Sequence, residues 1–189
     1  MGGKAVMARQ ENQRVMLTRR LIREGLMELL KTESIHKISV RALCEGAGIN
    51  RSTFYRYYGS QYDVLAEMEE QVLGDVGALL QQAPSATDRE TLEAICAYFE
   101  QHMDSVRVMV SNNVDPEFPR KLFGMPQVRD MILARLDPAA DAEQQNYLYI
   151  FLVNGAYHLV REWIDNDRGR PFKEIAYLLE DIIDRLCRP

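Results

Sequence analysis

The sequence is poor in the residues that staple, ligate or catalyse. Its 189 residues include only three cysteines, Cys44, Cys96 and Cys187, odd in number, far apart and without C-x-x-C spacing. That argues against a disulfide scaffold or a zinc finger and fits a reducing cytoplasm. The three histidines, His36, His102 and His158, are widely separated, and no H-E-x-x-H, G-x-S-x-G, P-loop or dinucleotide-binding glycine pattern occurs. No catalytic residue, metal or cofactor is therefore expected, although an enzyme with an unfamiliar site stays open as a remote alternative. No apolar run approaches the roughly 20 residues that cross a bilayer. The polar start MGGKAVMARQENQR lacks the apolar stretch of a secretory leader. Proline is absent before Pro84, and no strand-like alternation of β-branched residues stands out.

What is present is helical periodicity on an ordinary globular composition, 47% hydrophobic and 27% charged. Leu21, Ile22, Gly25, Leu26, Leu29 and Leu30 recur at helical spacing, predicting a helix from Thr18 to about Lys31. Further helices are expected from Ser39 to Gly46, Arg51 to Tyr58, Gln61 to about Leu80, Arg89 to Met109, Gln127 to Leu136, Asp141 to Asp165 and Phe172 to Leu186. Breaks fall at QQAPSATD (81–88), at the proline-bearing stretch 111–126, at Pro138 and at DNDRGRP (165–171). The fold class is all-α. Charge is uneven: residues 1–61 carry 11 Lys/Arg against 5 Asp/Glu, whereas the whole chain sums to −5. A basic N-terminal third on an acidic body suits a chain that offers one end to a polyanion.

The stretch with chemistry in it is SVRALCEGAGINRSTFYRYYGSQ, residues 39–61. It has the layout of a helix-turn-helix, a short helix, a glycine-containing turn and a second short helix. Ser39 and Asn50 are suited to cap the two helices, and Gly48 can take the left-handed conformation of the turn. Ala42, Leu43, Ala47, Ile49 and Phe54 would close a small core. Arg51, Ser52, Thr53, Tyr55, Arg56 and Tyr57 are then left to face outward. Arginines fork onto guanine edges or phosphates, and hydroxyls donate to phosphate oxygens. The competing reading is a helical hairpin whose aromatics pack inward. Phe54, Tyr55, Tyr57 and Tyr58 span too much of a helical circumference for all four to do so.

Residues 17–70 resemble the DNA-binding domain of the TetR/AcrR family of bacterial transcriptional regulators. The likeness is carried by INRSTFYRYY and by the run Thr53-Phe54-Tyr55-Arg56-Tyr57-Tyr58-Gly59-Ser60, which matches the family's T-[LF]-Y-x-[HY]-[FY] stretch and small polar turn. FLVNGAYHLVREWI (151–164) is similar to the penultimate helix of a subgroup that includes regulators of the dihydroxyacetone kinase type. The resemblance implies a helix-turn-helix domain over 12–61 and an all-helical ligand-binding and dimerisation domain over 62–189. It implies that Arg41, Arg51, Ser52, Arg56 and Tyr57 face the groove of double-stranded operator DNA, and that Thr53 and Tyr55 contact phosphate. Where the family commonly has a phosphate-binding Lys, this chain has Gln61, so one positive charge per subunit is missing from that contact.

The same resemblance implies a cavity in the body for a small apolar effector, with candidate walls Tyr98, Phe99, His102, Met103, Phe118, Phe123, Tyr147 and Phe151. Control by a partner protein is the alternative, since the sequence offers no charge cluster that names a ligand. The last two helices carry more apolar face than one neighbour needs. Leu148, Leu152, Gly155, Ala156, Leu159, Ile175, Leu179, Ile182, Ile183 and Leu186 are the expected homodimer interface, because an operator of two half-sites calls for two-fold symmetry. The expected activity is that of a repressor released by its effector.

Overall fold

A computed structural model of the chain describes residues 2–81, 89–110, 114–115, 117–136, 141–166 and 170–187, with side chains from residue 12 onward. The breaks expected at 82–88, Pro116, Pro138 and 167–169 lie outside the described residues. Among the described residues the chain is all-helical: α1 (Gly2–Leu30), α2 (Val40–Ala47), α3 (Arg51–Phe54), α4 (Gln61–Gln81), α5 (Arg89–Gln101), α6 (Met103–Val110), α7 (Phe118–Phe123), α8 (Pro126–Leu133), α9 (Ala142–Asp165) and α10 (Phe172–Cys187). None of these helices is long and apolar enough to cross a membrane. The chain falls into two compact units, Met1–Gln71 and Val72–Pro189. The division falls inside α4.

In the first unit, α1 begins at Gly2, sixteen residues before the expected start at Thr18. Residues 2–17 are rich in the helix formers Ala, Met, Arg, Gln and Glu, which favours helix there by propensity, and Met16 and Leu17 are exposed. Ile22 and Leu26 then turn inward with Leu43, Phe54 and Val64 to form a core without solvent access. The Ser39 hydroxyl accepts the Ala42 N–H at 3.1 Å and starts α2. Gly48, at φ 64°, ends it. The close crossing of α1 and α2 rests on two small residues: a Cβ on Gly25 would stand 3.1 Å from the Ala47 Cβ. The recognition segment differs from its expected length. Only Arg51–Phe54 is α-helical, and the amides of Tyr57 and Tyr58 both return to the Phe54 carbonyl, at 2.9 and 3.0 Å, closing a turn instead.

In the second unit, the helix expected over 89–109 is split at His102. Its amide is shared between the Tyr98 and Phe99 carbonyls, and its Nδ1 lies 2.8 Å from the Tyr98 carbonyl. Within the stretch expected to be irregular, Pro119 sits in the first turn of α7, where its missing N–H leaves no bond unmade. Asp141 caps α9 by accepting the Gln144 N–H at 2.8 Å.

The faces of α9 and α10 sort the residues expected at the interface and the cavity wall by burial. On α9, Tyr149, Leu152, Ala156, Val160 and Trp163 form one stripe at three- and four-residue spacing, and it turns into the unit's own core and cavity. Leu152 and Ile175 are buried, and Ala156, Leu179 and Ile183 line the internal cavity. Leu152 and Ile175 thus serve the unit's own core, while Ala156, Leu179 and Ile183 are half-buried at the cavity wall. Tyr147 and Phe151 lie on the opposite stripe, 62% and 65% exposed, and are no part of the cavity wall. Leu148, Gly155 and Leu159 of α9 and Leu186 of α10 are exposed, and Ile182 is half-buried.

Candidate nucleic-acid interface and cavity

The turn between α2 and α3 sorts the recognition segment by burial. Phe54 and Tyr58 are buried, at 0% and 5% exposure, and anchor the segment to the core. Arg51, Ser52, Tyr55 and Arg56 are exposed, and Thr53 and Tyr57 are half-buried. The Arg56 guanidinium carbon lies 5.9 Å from the centre of the Tyr57 ring, which holds a cation and a phenol side by side. Arg41 on α2 is exposed and paired with Glu45 one turn later at 2.7 Å. A phosphate would have to compete with that carboxylate, though an exposed, solvent-screened pair of this kind holds its arginine only weakly. Gln61 is half-buried, with its side-chain amide 3.5 Å from the Ile35 carbonyl. Beside it, His36 Nδ1 and the Tyr62 hydroxyl are 3.0 Å apart. The start of α4 is thereby stitched to the loop before α2.

A further residue, absent from the sequence-based list, ties the segment down. Glu67 on α4 accepts the Tyr58 hydroxyl on both carboxylate oxygens at 3.1 Å, and it pairs with Arg23 at 3.1 Å and with Arg19. Arg19 also donates to the Tyr58 hydroxyl at 3.3 Å. Burial raises the Tyr58 phenol above its ordinary pKa, so it remains a donor at neutral pH. One carboxylate thus joins α1, the end of the recognition segment and α4. The partners are 9, 44 and 48 residues away in sequence, and local periodicity carries no sign of such a cluster.

The second unit encloses a cavity of about 220 Å³. Val72 and Val76 of α4, Phe99 of α5, Met109 of α6, Phe118 and Phe123 of α7, Leu152 of α9 and Phe172 of α10 are among its walls. Of the candidate wall residues, Phe99, Phe118 and Phe123 are there, whereas Tyr98, His102 and Met103 are not. Tyr98 instead donates its hydroxyl to Asp75 at 3.0 Å, and its ring lies 4.4 Å from that of His102. Burial, with Asp75 as acceptor, drives the Tyr98 phenol far above its ordinary pKa. Helical spacing places an aromatic on a face, but which face meets the cavity is settled by the neighbouring helices.

Comparison with known proteins agrees with this architecture. Residues 22–68 match the model described as bacterial regulatory proteins, tetR family, and residues 88–185 match a transcriptional regulator C-terminal region. Over 77 residues, covering 38% of this chain and 36% of the relative, the sequence is 38% identical to the HTH-type transcriptional regulator EthR of Mycobacterium tuberculosis. The chain spans between 36% and 44% of the length of the curated relatives it matches. Among solved structures, it superposes on a TetR transcriptional regulator from Streptococcus agalactiae with TM-score 0.69 and 21% identity, covering 93% of this chain and 98% of that one. Thermus thermophilus FadR, a TetR-family repressor solved with lauroyl-CoA, matches with TM-score 0.55 and 19% identity over 90% and 96% of the two chains. With a helix-turn-helix at one end, an all-helical unit after it and both family models matched, the chain belongs to the TetR family of DNA-binding transcriptional regulators.

Proposed function

We propose that the chain is a homodimeric repressor that reads an operator through residues 41–57 and leaves it when a small, mostly apolar molecule fills the cavity of the second unit. The observation that carries this reading is the sharing of α4. Its first half holds the recognition segment through Glu67 and Tyr58, and its second half, through Val72 and Val76, walls the cavity. A ligand needs only a higher affinity for one position of that helix than for another to shift the population between them. The repressor FadR with its lauroyl-CoA supports control of this general kind. A regulator of this kind works where its DNA is, in the cytoplasm. Dimerisation is proposed through the exposed stripe of α9, Tyr147, Leu148, Phe151, Gly155 and Leu159, together with Leu178 and Leu186 of α10.

The test is a footprint on the intergenic DNA beside the gene, followed by titration of a small-molecule library. Protection of two half-sites about one helical turn apart, or a multiple of it, is expected, with loss of protection on adding a molecule that also raises the melting temperature. Protection of a single half-site by a monomer would remove the dimer from the proposal. A library in which stabilising molecules leave the footprint intact would remove the release step.

A further inference from the structure

We infer that the cavity selects an uncharged ligand, mainly apolar and carrying one hydrogen-bond-accepting oxygen, and that Arg135 is the residue that recognises that oxygen. The inference rests on the cavity being the effector site. Among the described residues, its walls carry two charged groups, Arg135 and Glu180, in an otherwise almost wholly apolar lining. Arg135 is 14% exposed, and its Nε is buried with no hydrogen-bond partner. Its two carboxylate neighbours stand off: Glu180 at 3.8 Å and Asp184 at 3.5 Å, both longer than the ~2.7–2.9 Å of a charge-assisted hydrogen bond. The guanidinium is therefore outnumbered in charge by two carboxylates, yet its Nε–H has no acceptor.

That combination discriminates among ligand classes. A carboxylate would enter a region where one positive charge already faces two negative ones, and it would lose its hydration on the way in. An amine would suit the negative surplus but would leave the Arg135 Nε–H unpaired and set a second cation beside it. A ketone, ester or alcohol oxygen accepts from Arg135 without disturbing either carboxylate. The rest of such a ligand would meet Phe99, Phe118, Phe123 and Phe172. At about 220 Å³, the space lies below the ~300–1,000 Å³ of drug-sized sites and suits a molecule on the order of ten non-hydrogen atoms, given about 30 Å³ for a single water in the liquid.

Four matched probes separate these classes: butyrophenone, phenylbutyrate, phenylbutylamine and butylbenzene, titrated into the full chain by calorimetry with melting temperature as a second readout. Butyrophenone is expected to bind about tenfold more tightly than each of the other three, the size of effect one hydrogen bond supplies. Arg135→Lys keeps the charge opposite Glu180 and Asp184 but removes the Nε–H. Its ammonium is still a donor but sits farther out beside the two carboxylates, so the preference for butyrophenone over butylbenzene should fall severalfold. Circular dichroism and the melting temperature without ligand show that the variant is folded. Glu180→Gln should narrow the gap between phenylbutyrate and butyrophenone. Tightest binding of phenylbutyrate or phenylbutylamine, or a preference for butyrophenone that Arg135→Lys leaves undiminished, overturns the inference while leaving the cavity as a ligand site. If none of the four binds the wild type, the cavity fails as a ligand site for such molecules, and the inference falls with it.

Discussion

At the residue scale, exposure decides which side chains are available to DNA. Arg51 and Arg56 are the exposed cations of the recognition segment, and replacing either by Ala should weaken operator binding by about 1–3 kcal/mol if it reads a base. Fluorescence anisotropy on the footprinted site measures this, and unchanged affinity in both variants would remove them from the interface. Gln61 spends its side chain on the Ile35 carbonyl at a long 3.5 Å. Gln61→Lys should restore a phosphate contact, steepening the dependence of log affinity on log salt by about 0.9 per subunit. An unchanged salt slope would place residue 61 outside the phosphate track. Glu67 is a positioning residue, since it acts through Tyr58, Arg19 and Arg23. Glu67→Gln should lower stability by about 1–2 kcal/mol, because hydrogen bonds to a charged acceptor are lost and the site is only partly screened from water. It should also narrow the ratio of specific to non-specific DNA binding, which a purely structural loss would leave alone.

Three glycines, one in α1 and two in the helix-turn-helix, test how these elements are built. A Cβ on Gly25 would press to 3.1 Å from the Ala47 Cβ and 3.2 Å from its backbone nitrogen. Neither atom can swing aside, so Gly25→Ala should cost about 1–3 kcal/mol by forcing α1 and α2 apart. Gly48 has open space around it but a φ of 64°, so Gly48→Ala should cost about 1–2 kcal/mol for conformational reasons alone. Gly46 has open space and an ordinary helical backbone; there the same change should stabilise by roughly 0.5–1 kcal/mol. Thermal melts of the three variants separate the two mechanisms. Equal effects at positions 46 and 48 would refute the conformational account.

For the whole molecule, the open question is what covers the outer stripe of α9. Tyr147 and Phe151 are the most exposed large aromatics of the second unit, with Gly155 beyond them leaving room for a close helix approach. A four-helix bundle formed by α9 and α10 with their counterparts would bury this stripe. Phe151→Glu combined with Gly155→Glu should yield a folded monomer that has lost operator binding, since like charges would meet across the two-fold axis. Sedimentation velocity at micromolar concentration reads the outcome. A wild type that sediments as a monomer would leave the stripe without this explanation.

Much of this chain follows from local rules. Apolar spacing, Ser39 and Asp141 as caps, Gly48 as the turn residue and the RSTFYRYY run together specify an all-helical chain with a helix-turn-helix near one end, because capping, turn conformation and amphipathic period each act within a few residues. The choice of face was left to tertiary packing. Leu152 and Phe151 are adjacent and both apolar, yet the first is buried in the core and the second is exposed, since only the packing of α8 and α10 against α9 defines which side of it is inside. The cavity with Arg135 in its wall, like the Glu67 cluster, gathers side chains from several helices, and no spacing rule along one helix can bring such residues together.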